Sequence, residues 1–381
     1  MPPSYMKHKP RGPVIQARPD FCPYCDGREL IKRGLRRNLH RHLQMYWCQD
    51  CTRYFTPLAG VKGAKYPPRV MARALCLYNL GHSQAETARR IAAEHRITVP
   101  RRTIADWISA FRCITTFERL RAAAVTEFRS AMLKGRSLRH QQVYQYKVHM
   151  PKLALAATMI APNIAAQMTS YLLSVFEDFP DVLFQENADD DSLAEAAPLR
   201  SSKSRFEILP LSRTEKQNLA NDLAALGLLL ARRNKDRHAS VQDFMLANDS
   251  CTIACEVPVY LTSGDIARYK CEGLFIGLPE STKAVTGHID VLQARNGFIH
   301  LLDYKPGARQ IDPVNQLVIY ALAFAARTGL PLKVLKCAWF DEKDYFEFFP
   351  LEAVSLRLAP EVPSDATPRT HFAVREPGGS F

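Results

Sequence analysis

The period of the apolar positions changes along the chain, and the changes divide it. Between 67 and 111 they recur at helical spacing: Pro67-Pro68 opens a helix running through Tyr78, Gly81 stops it, and Ala88, Ile91 and Ala92 give the next helix its stripe. Ser83 can cap that second helix, with Glu86 completing a capping box. After the turn Ile97-Thr98-Val99-Pro100, Thr103 is the N-cap candidate of a third helix whose Ile104, Trp107, Ile108 and Phe111 read as core. Residues 114–185 read as further helices, Ala/Leu-rich at 153–160 and 164–176, forming a connector or oligomerisation element. The stretch 186–204 turns acidic and then Ser-rich, as solvated linkers do, and the Pro-rich end beyond about Leu358 reads as a disordered tail.

Past the linker, 214–232 reads as one long helix, 241–248 as a short one, and 252–261 as an apolar strand interrupted by Glu256. Asn296-Gly297 is a strong signal for a two-residue hairpin turn, and it joins strands at 289–295 and 298–305. Closing that turn sets Leu292 opposite Leu301, Ala294 opposite Ile299 and Asp290 directly opposite Asp303. Lys305 then falls on the face of Asp303, one pleat on, with His288 opposite it. Asp312-Pro313 supplies an N-cap and a proline at the first position of a helix over 314–327, which Gly329 ends. Strands follow at 332–340 and 345–349, so a mixed sheet flanked by helices is expected.

Charge sharpens this division. Residues 1–150 hold 28 Lys+Arg against 9 Asp+Glu, whereas residues 151–381 hold 23 against 29. The basic half is the polyanion-binding half, although solvated helix faces would also account for the arginines between 112 and 139. With 381 residues, two or three units are expected. No apolar run reaches membrane-span length and the N-terminus lacks a signal-peptide core, so a cytoplasmic, nucleoid-associated protein is expected.

Cys22, Cys25, Cys48 and Cys51 form two Cys-x-x-Cys pairs at a spacing suited to a structural four-thiolate zinc site, the alternative being a disulfide framework. His40 and His42, between the pairs, read as surface residues or nucleic-acid contacts. Cys76, Cys113, Cys251, Cys255, Cys271 and Cys337 read as small core residues in a reducing compartment.

Opposed carboxylates destabilise a strand pair unless something holds them, and a divalent cation is the obvious candidate. Phosphodiester hydrolysis needs a hard cation, a positioned hydroxide and a fixed positive charge near the developing anion. Asp290, Asp303 and Lys305 supply all three from one face.

Three stretches carry resemblances. Cys-Pro-x-Cys, Ile31-Lys32-Arg33-Gly34 and Tyr46-Trp47-Cys48-x-x-Cys51-x-Arg53-Tyr54-Phe55-Thr56 resemble the zinc ribbon of insertion-sequence transposases. The helices that follow resemble the helix-turn-helix of transposases and resolvases, which implies a helix in the major groove with Arg101, Arg102 and Ser109 as DNA contacts. Gly287-His288-Ile289-Asp290, then Asp303-Tyr304-Lys305, then Gln316-x-x-x-Tyr320 resemble the PD-(D/E)XK nuclease superfamily, RecB-like branch, over about 235–350. That resemblance implies Mg²⁺ or Mn²⁺ on Asp290 and Asp303, with the Tyr304 carbonyl a further ligand and Lys305 activating water. It also implies an acid on the preceding strand, Glu256, and an upstream metal-binding histidine, His238, for which His288 competes. Gln316 and Tyr320, at i and i+4, would face the active-site edge or DNA. The bland alternatives are an outward residue on an edge strand for Glu256 and plain helix surface for Gln316 and Tyr320. No cysteine follows Cys337, so the iron-sulfur cluster of some RecB-like exonucleases is not expected.

The expected organisation is therefore multidomain: a zinc ribbon (18–58), an all-α helix-turn-helix (66–113), a helical connector (114–185), a linker (186–206), a restriction-endonuclease-like α/β domain (207–353) and a tail (354–381). The expected function is a metal-dependent DNA nuclease of a mobile element or a defence or recombination system. The alternative is a sequence-specific DNA-binding regulator, or a transposition protein, with an inactive nuclease fold. A three-carboxylate transposase is a third class that the lysine two residues after Asp303 does not match. DNA is the expected partner. Endonuclease against exonuclease action, RNA as substrate and homo-oligomerisation stay open.

Overall fold

Two sheets organise the computed structural model, which describes residues 22, 28–37, 42–55, 66–128, 131–184, 199–201, 207–274, 276–278, 282 and 284–355. The smaller sheet is antiparallel, in the order β1 (Leu30–Arg37), β2 (His42–Cys48), β3 (Tyr54–Phe55). Cys22, Leu30, Tyr46 and Cys48 are its buried core. Cys25, His40, most of the linker and the tail lie outside the described residues.

Three helices follow: α1 (Pro68–Asn79), α2 (Gln84–His95) and α3 (Arg101–Phe111). Ser83 Oγ accepts the Glu86 N–H at 3.1 Å, whereas the Glu86 carboxylate turns to Arg89 and Arg90 instead of closing the box. Thr103 is not an N-cap, because Pro100, extended at ψ 144°, takes that position and switches the backbone into helix three residues earlier. Ile104, Trp107 and Ile108 are buried and Phe111 half-buried, leaving Arg101, Arg102 and Ser109 exposed.

The remaining helices are α4 (Arg121–Phe128), α5 (Met150–Ala154), α6 (Pro162–Ser174), α7 (Leu219–Leu228), α8 (Arg237–Asn248), α9 (Ser263–Cys271) and α10 (Val314–Thr328). The strands are β4 (Leu133–His140), β5 (Gln142–His149), β6 (Leu199–Arg200), β7 (Thr214–Glu215), β8 (Thr252–Thr262), β9 (Ala284–Arg295), β10 (Phe298–Tyr304), β11 (Leu335–Phe340) and β12 (Tyr345–Phe348). They form one mixed sheet in the order β4-β5-β8-β9-β10-β11-β12-β7, with β6 paired to β9. The β10–β11 and β6–β9 pairs are parallel and the others antiparallel.

Helices cover both faces. Residues of α6, α9 and α10 pack on one (Met168, Leu172, Ile266, Leu317, Phe324). On the other, Val70, Leu75, Ile104 and Trp107 share one apolar cluster with Leu223 and Phe244 of α7 and α8 and with Val291, Leu302 and Phe340 of the sheet. Helices α1 and α3 therefore have no separate core, and the buried Asn79 Nδ2 donates to Asn248 Oδ1 at 2.8 Å across the join. No helix among the described residues is long and apolar enough to cross a membrane.

Several elements differ from expectation. Residues 133–149 are a β-hairpin and not helix; Tyr144, Tyr146 and Val148 alternate in the strand that joins the sheet through β8. The expected helix at 214–232 splits, because Thr214–Glu215 pairs with β12 and Asn218 caps α7 only afterwards. Leu332–Val334 is a 3₁₀ turn before β11. Pro313 occupies the N-cap position of α10, and Asp312 Oδ1 reaches over it to accept the Val314 N–H at 3.1 Å. Cys76, Cys255 and Cys337 are buried as expected, but Cys251 is half-buried and Cys113 and Cys271 are exposed. Glu256 does not lie on an edge, since β8 runs between β5 and β9.

Candidate active site

The Asn296-Gly297 turn forms with both residues left-handed, φ 53° and 82°, the conformation a two-residue hairpin needs. The ladder it closes pairs Phe298 with Arg295, Ile299 with Ala294, Leu301 with Leu292 and Leu302 with Val291. One position further the strands part, and the Tyr304 N–H donates to Asp290 Oδ2 at 3.0 Å. Asp290 and Asp303 thus meet where the ladder ends.

A third acid stands level with them. Cys255 pairs with Val291 and Val257 with Ile289, which puts Glu256 beside Asp290 on the opposite flank of β9. Glu256 is left-handed at φ 52°, a conformation that costs a non-glycine residue about 1–3 kcal/mol. Its Oε1 accepts from Gln242 Nε2 of α8 at 2.8 Å. Three adjacent strands therefore deliver Glu256, Asp290 and Asp303 in one row.

Two basic side chains flank the row. Lys305 Nζ is 2.8 Å from Asp303 Oδ2, and His238 Nδ1, near the start of α8, is 3.5 Å from Asp290 Oδ2. The His238 ring stands edge-on to Tyr304, 5.1 Å between centroids. Burial works against the Asp290 charge, but His238 and Lys305 outweigh it and hold that carboxyl below its usual range. Asp303, only 1% exposed, is raised well above the usual range by burial and by Asp290. Glu256 is pushed up to about 8 by the same two causes. Burial opposes the Lys305 charge too, but Asp303 and Asp290 prevail and raise its pKa, so it stays an ammonium. His238 is raised by its hydrogen bond to Asp290.

Gln316 Nε2 donates to the hydroxyl of Tyr320 at 2.6 Å, and Tyr320 is buried against β9. That contact explains Gly287: a Cβ there would sit 2.3 Å from Tyr320 Cε1 and 2.6 Å from Ser201 Oγ. Asp341 holds the turn after Lys305, accepting the N–H groups of Gly307 and Ala308 at 3.0 Å and of Lys343 and Asp344 at 2.8 Å. Sequence reasoning missed Asp341 because its partners come from two separate turns.

His288 does not face Lys305 and does not compete with His238. It stacks flat on Tyr144 (3.6 Å between centroids, 11° between planes), and its Nε2 lies 2.9 Å from His140 Nδ1. His140 Nε2 in turn meets Asp181 Oδ1 at 2.7 Å. Burial lowers the pKa of His140 despite Asp181, so the neutral ring donates to Asp181 from Nε2 and accepts from His288 at Nδ1. None of His140, Tyr144 and Asp181 was singled out from sequence, since the β4–β5 hairpin that carries the first two read as helix.

These residues enclose a cleft of about 400 Å³. Glu256, Asp290, His238, Gln316 and Tyr320 line it, together with Tyr144, His288 and Phe184, and Arg200 and Lys235 add positive charge.

Away from the cleft, the thiols of Cys22, Cys48 and Cys51 all lie within 4.8 Å of one another, with 3.6 Å between the unbonded Cys22 and Cys51 sulfurs. They could hold a metal ion such as zinc. Among the described residues no other three His, Cys, Asp or Glu donors converge so tightly; the acid row, with Asp303 turned onto Lys305, does not. Arg101, Arg102 and Ser109 lie exposed on α3. Comparison with protein-family models, with curated proteins and with solved structures gave no match.

Proposed function

We propose that the chain is a metal-dependent phosphodiesterase acting on DNA, a nuclease of the PD-(D/E)XK type. One observation carries the reading: three acids lie level on adjacent strands, with a lysine against one and a histidine against another. The donor set suits a hard divalent cation such as Mg²⁺ or Mn²⁺. Asp303 Oδ2 is buried and close to Lys305 Nζ, yet has no well-aligned hydrogen bond, and burial together with the Asp290 charge raises the pKa of both Asp303 and Glu256, an environment in which a bound cation would favour their ionised forms. Asp290, Asp303 and Glu256 would hold the ion, with the Tyr304 carbonyl a further donor. When bound it would neutralise phosphate oxygens and lower the pKa of a water molecule.

The side chains supply the rest. Lys305 remains charged, so it donates to the attacking water or to a phosphoryl oxygen and is not the base. His238, its pKa raised by the hydrogen bond to Asp290, orients that carboxylate, and only its deprotonated form can serve as a ligand. Gln316 and Tyr320 offer polar atoms to the incoming strand.

The basic N-terminal half would bring the DNA, with α3 as the helix of a helix-turn-helix and zinc as the structural ion of the thiol cluster. Replacing Arg101 and Arg102 together by alanine is expected to weaken duplex binding about tenfold and to lower the salt slope by about 1 for each lost phosphate contact. Titrations by fluorescence anisotropy at several salt concentrations check this. An unchanged slope would take α3 off the DNA.

Incubation of circular and linear DNA with Mg²⁺ or Mn²⁺ tests the activity, products being read on a gel. Cleavage in either form supports the reading. Duplex binding without cleavage of any substrate would favour the DNA-binding regulator.

A further inference from the structure

The aromatic wall of the cleft is not needed for phosphate chemistry. It is built by the β4–β5 hairpin, by β9 and by the 3₁₀ turn Asp181–Phe184: Tyr144 lies flat on His288, and His140 lies on Phe184 with 4.0 Å between centroids and 20° between planes. Polar contacts fix these rings. Arg136 Nη2 holds Asp181 Oδ2 at 2.6 Å, Asp181 holds His140, and His140 holds His288. Tyr144, half-buried, is the member of the stack on the hairpin itself, and it borders the cleft with His288. Amide and hydroxyl groups of Gln142, Gln316, Ser201 and Tyr320 share the same space.

Rigid aromatic faces beside polar groups and cations are what an unstacked nucleobase and its phosphate require. At about 400 Å³ the cleft falls in the range of small-ligand sites, large enough for one nucleotide unit and too small for a stacked base pair. A base reaches such a space only from a single strand or after leaving the helix.

We propose that this cleft is a nucleobase subsite stacking on Tyr144, so that single-stranded DNA, and not intact duplex, is the strand presented to the acid row. The consequence for chemistry rests on the nuclease reading; the binding does not. The subsite should tolerate any base, because every base has a π face.

The test uses the full chain in divalent-free buffer without chelator, which leaves the cysteine site intact. Two labelled probes are compared by fluorescence anisotropy, a single-stranded thymidine oligonucleotide and a blunt duplex of the same length. Tyr144→Leu is expected to weaken the single strand about tenfold and the duplex less than about twofold, with Tyr144→Phe restoring wild-type binding. A second readout needs no variant: 2-aminopurine placed within the single strand should lose fluorescence on binding the wild-type chain, as a stacked base does. Unchanged single-strand affinity in Tyr144→Leu at an unchanged melting temperature, or 2-aminopurine that stays bright when bound, would overturn the subsite. Cleavage of the same oligonucleotide in Mg²⁺ is scored separately. Tyr144-dependent binding without cleavage leaves the subsite standing and sinks the nuclease reading. Cleavage with Tyr144-independent binding does the reverse.

Discussion

Lys305→Ala is expected to slow Mg²⁺-dependent DNA cleavage by about 10³-fold, the order of loss seen when one preorganised charge donor is removed from a transition state. The ammonium sits 2.8 Å from Asp303 and is kept cationic by Asp303 and Asp290 against the cost of burial. Two effects add when it is lost. The developing charge on the phosphate loses a fixed partner, and Asp303, already raised by burial and by Asp290, binds its proton more firmly and ligates less well. The fold should survive, because a buried carboxyl that loses its cation can neutralise itself by protonation. Affinity for DNA should change by less than about twofold, since one partly buried lysine contributes little to backbone binding. Single-turnover cleavage, scored beside the melting temperature, separates the cases. Cleavage at the wild-type rate would remove Lys305 from the site, and a loss that merely tracks a large fall in melting temperature would make its role structural.

The parts of this site that were legible in the sequence are those that local chemistry determines. Asn296-Gly297 demands left-handed backbone at two successive residues, and that alone set the β9–β10 register up to the acids. The helix over α10 and the glycine that ends it, at φ 72°, followed from the same kind of local rule. Glu256 was visible as an anomaly in an apolar strand, but its level placement with Asp290 depends on which strand lies beside β9, which a single sequence does not encode locally. Strands β6 and β7 have two residues each, too few for any period to register. The β4–β5 hairpin did carry a signal, the alternation of Tyr144, Tyr146 and Val148, but the surrounding arginine-rich stretch obscured it. With it went His140, Tyr144 and the whole aromatic side of the cleft. His288 was misplaced for a related reason: extending the hairpin register past Asp290 assumes that the strands stay paired, and they part there.

The acid row should also leave a mark on stability when divalent ions are withheld. Without divalent ions the chain is expected to lose stability as pH rises from about 5 to 8, by a few kcal/mol at the upper end. The sign follows from the proton count. Glu256 has an ordinary pKa of 4.5 and is pushed to about 8 in the folded chain by burial and by Asp290, so between those values the folded state holds a proton that the unfolded state has released. Whenever the folded state binds more protons, unfolding becomes easier as pH rises. Asp303, raised by the same causes, works in the same direction. So does His238, whose pairing with Asp290 contributes most below its ordinary value of 6.5 and fades as pH passes its raised one. Asp290 is lowered, so the stability it contributes is lost only in acid, below this window. A cation bound to the row displaces the protons and supplies the missing charge, which makes the stabilisation by Mg²⁺ or Mn²⁺ larger at pH 8 than at pH 6. Melting curves from pH 5.5 to 8.5, in divalent-free buffer and with Mg²⁺ or Mn²⁺ added, measure both slopes. In Glu256→Gln the metal-free curve should flatten and much of the metal response should vanish, because the amide has no proton to exchange. If the metal-free chain instead gains stability from pH 6 to 8, or if Glu256→Gln responds to Mg²⁺ as the wild type does, the acid row is not a cation site.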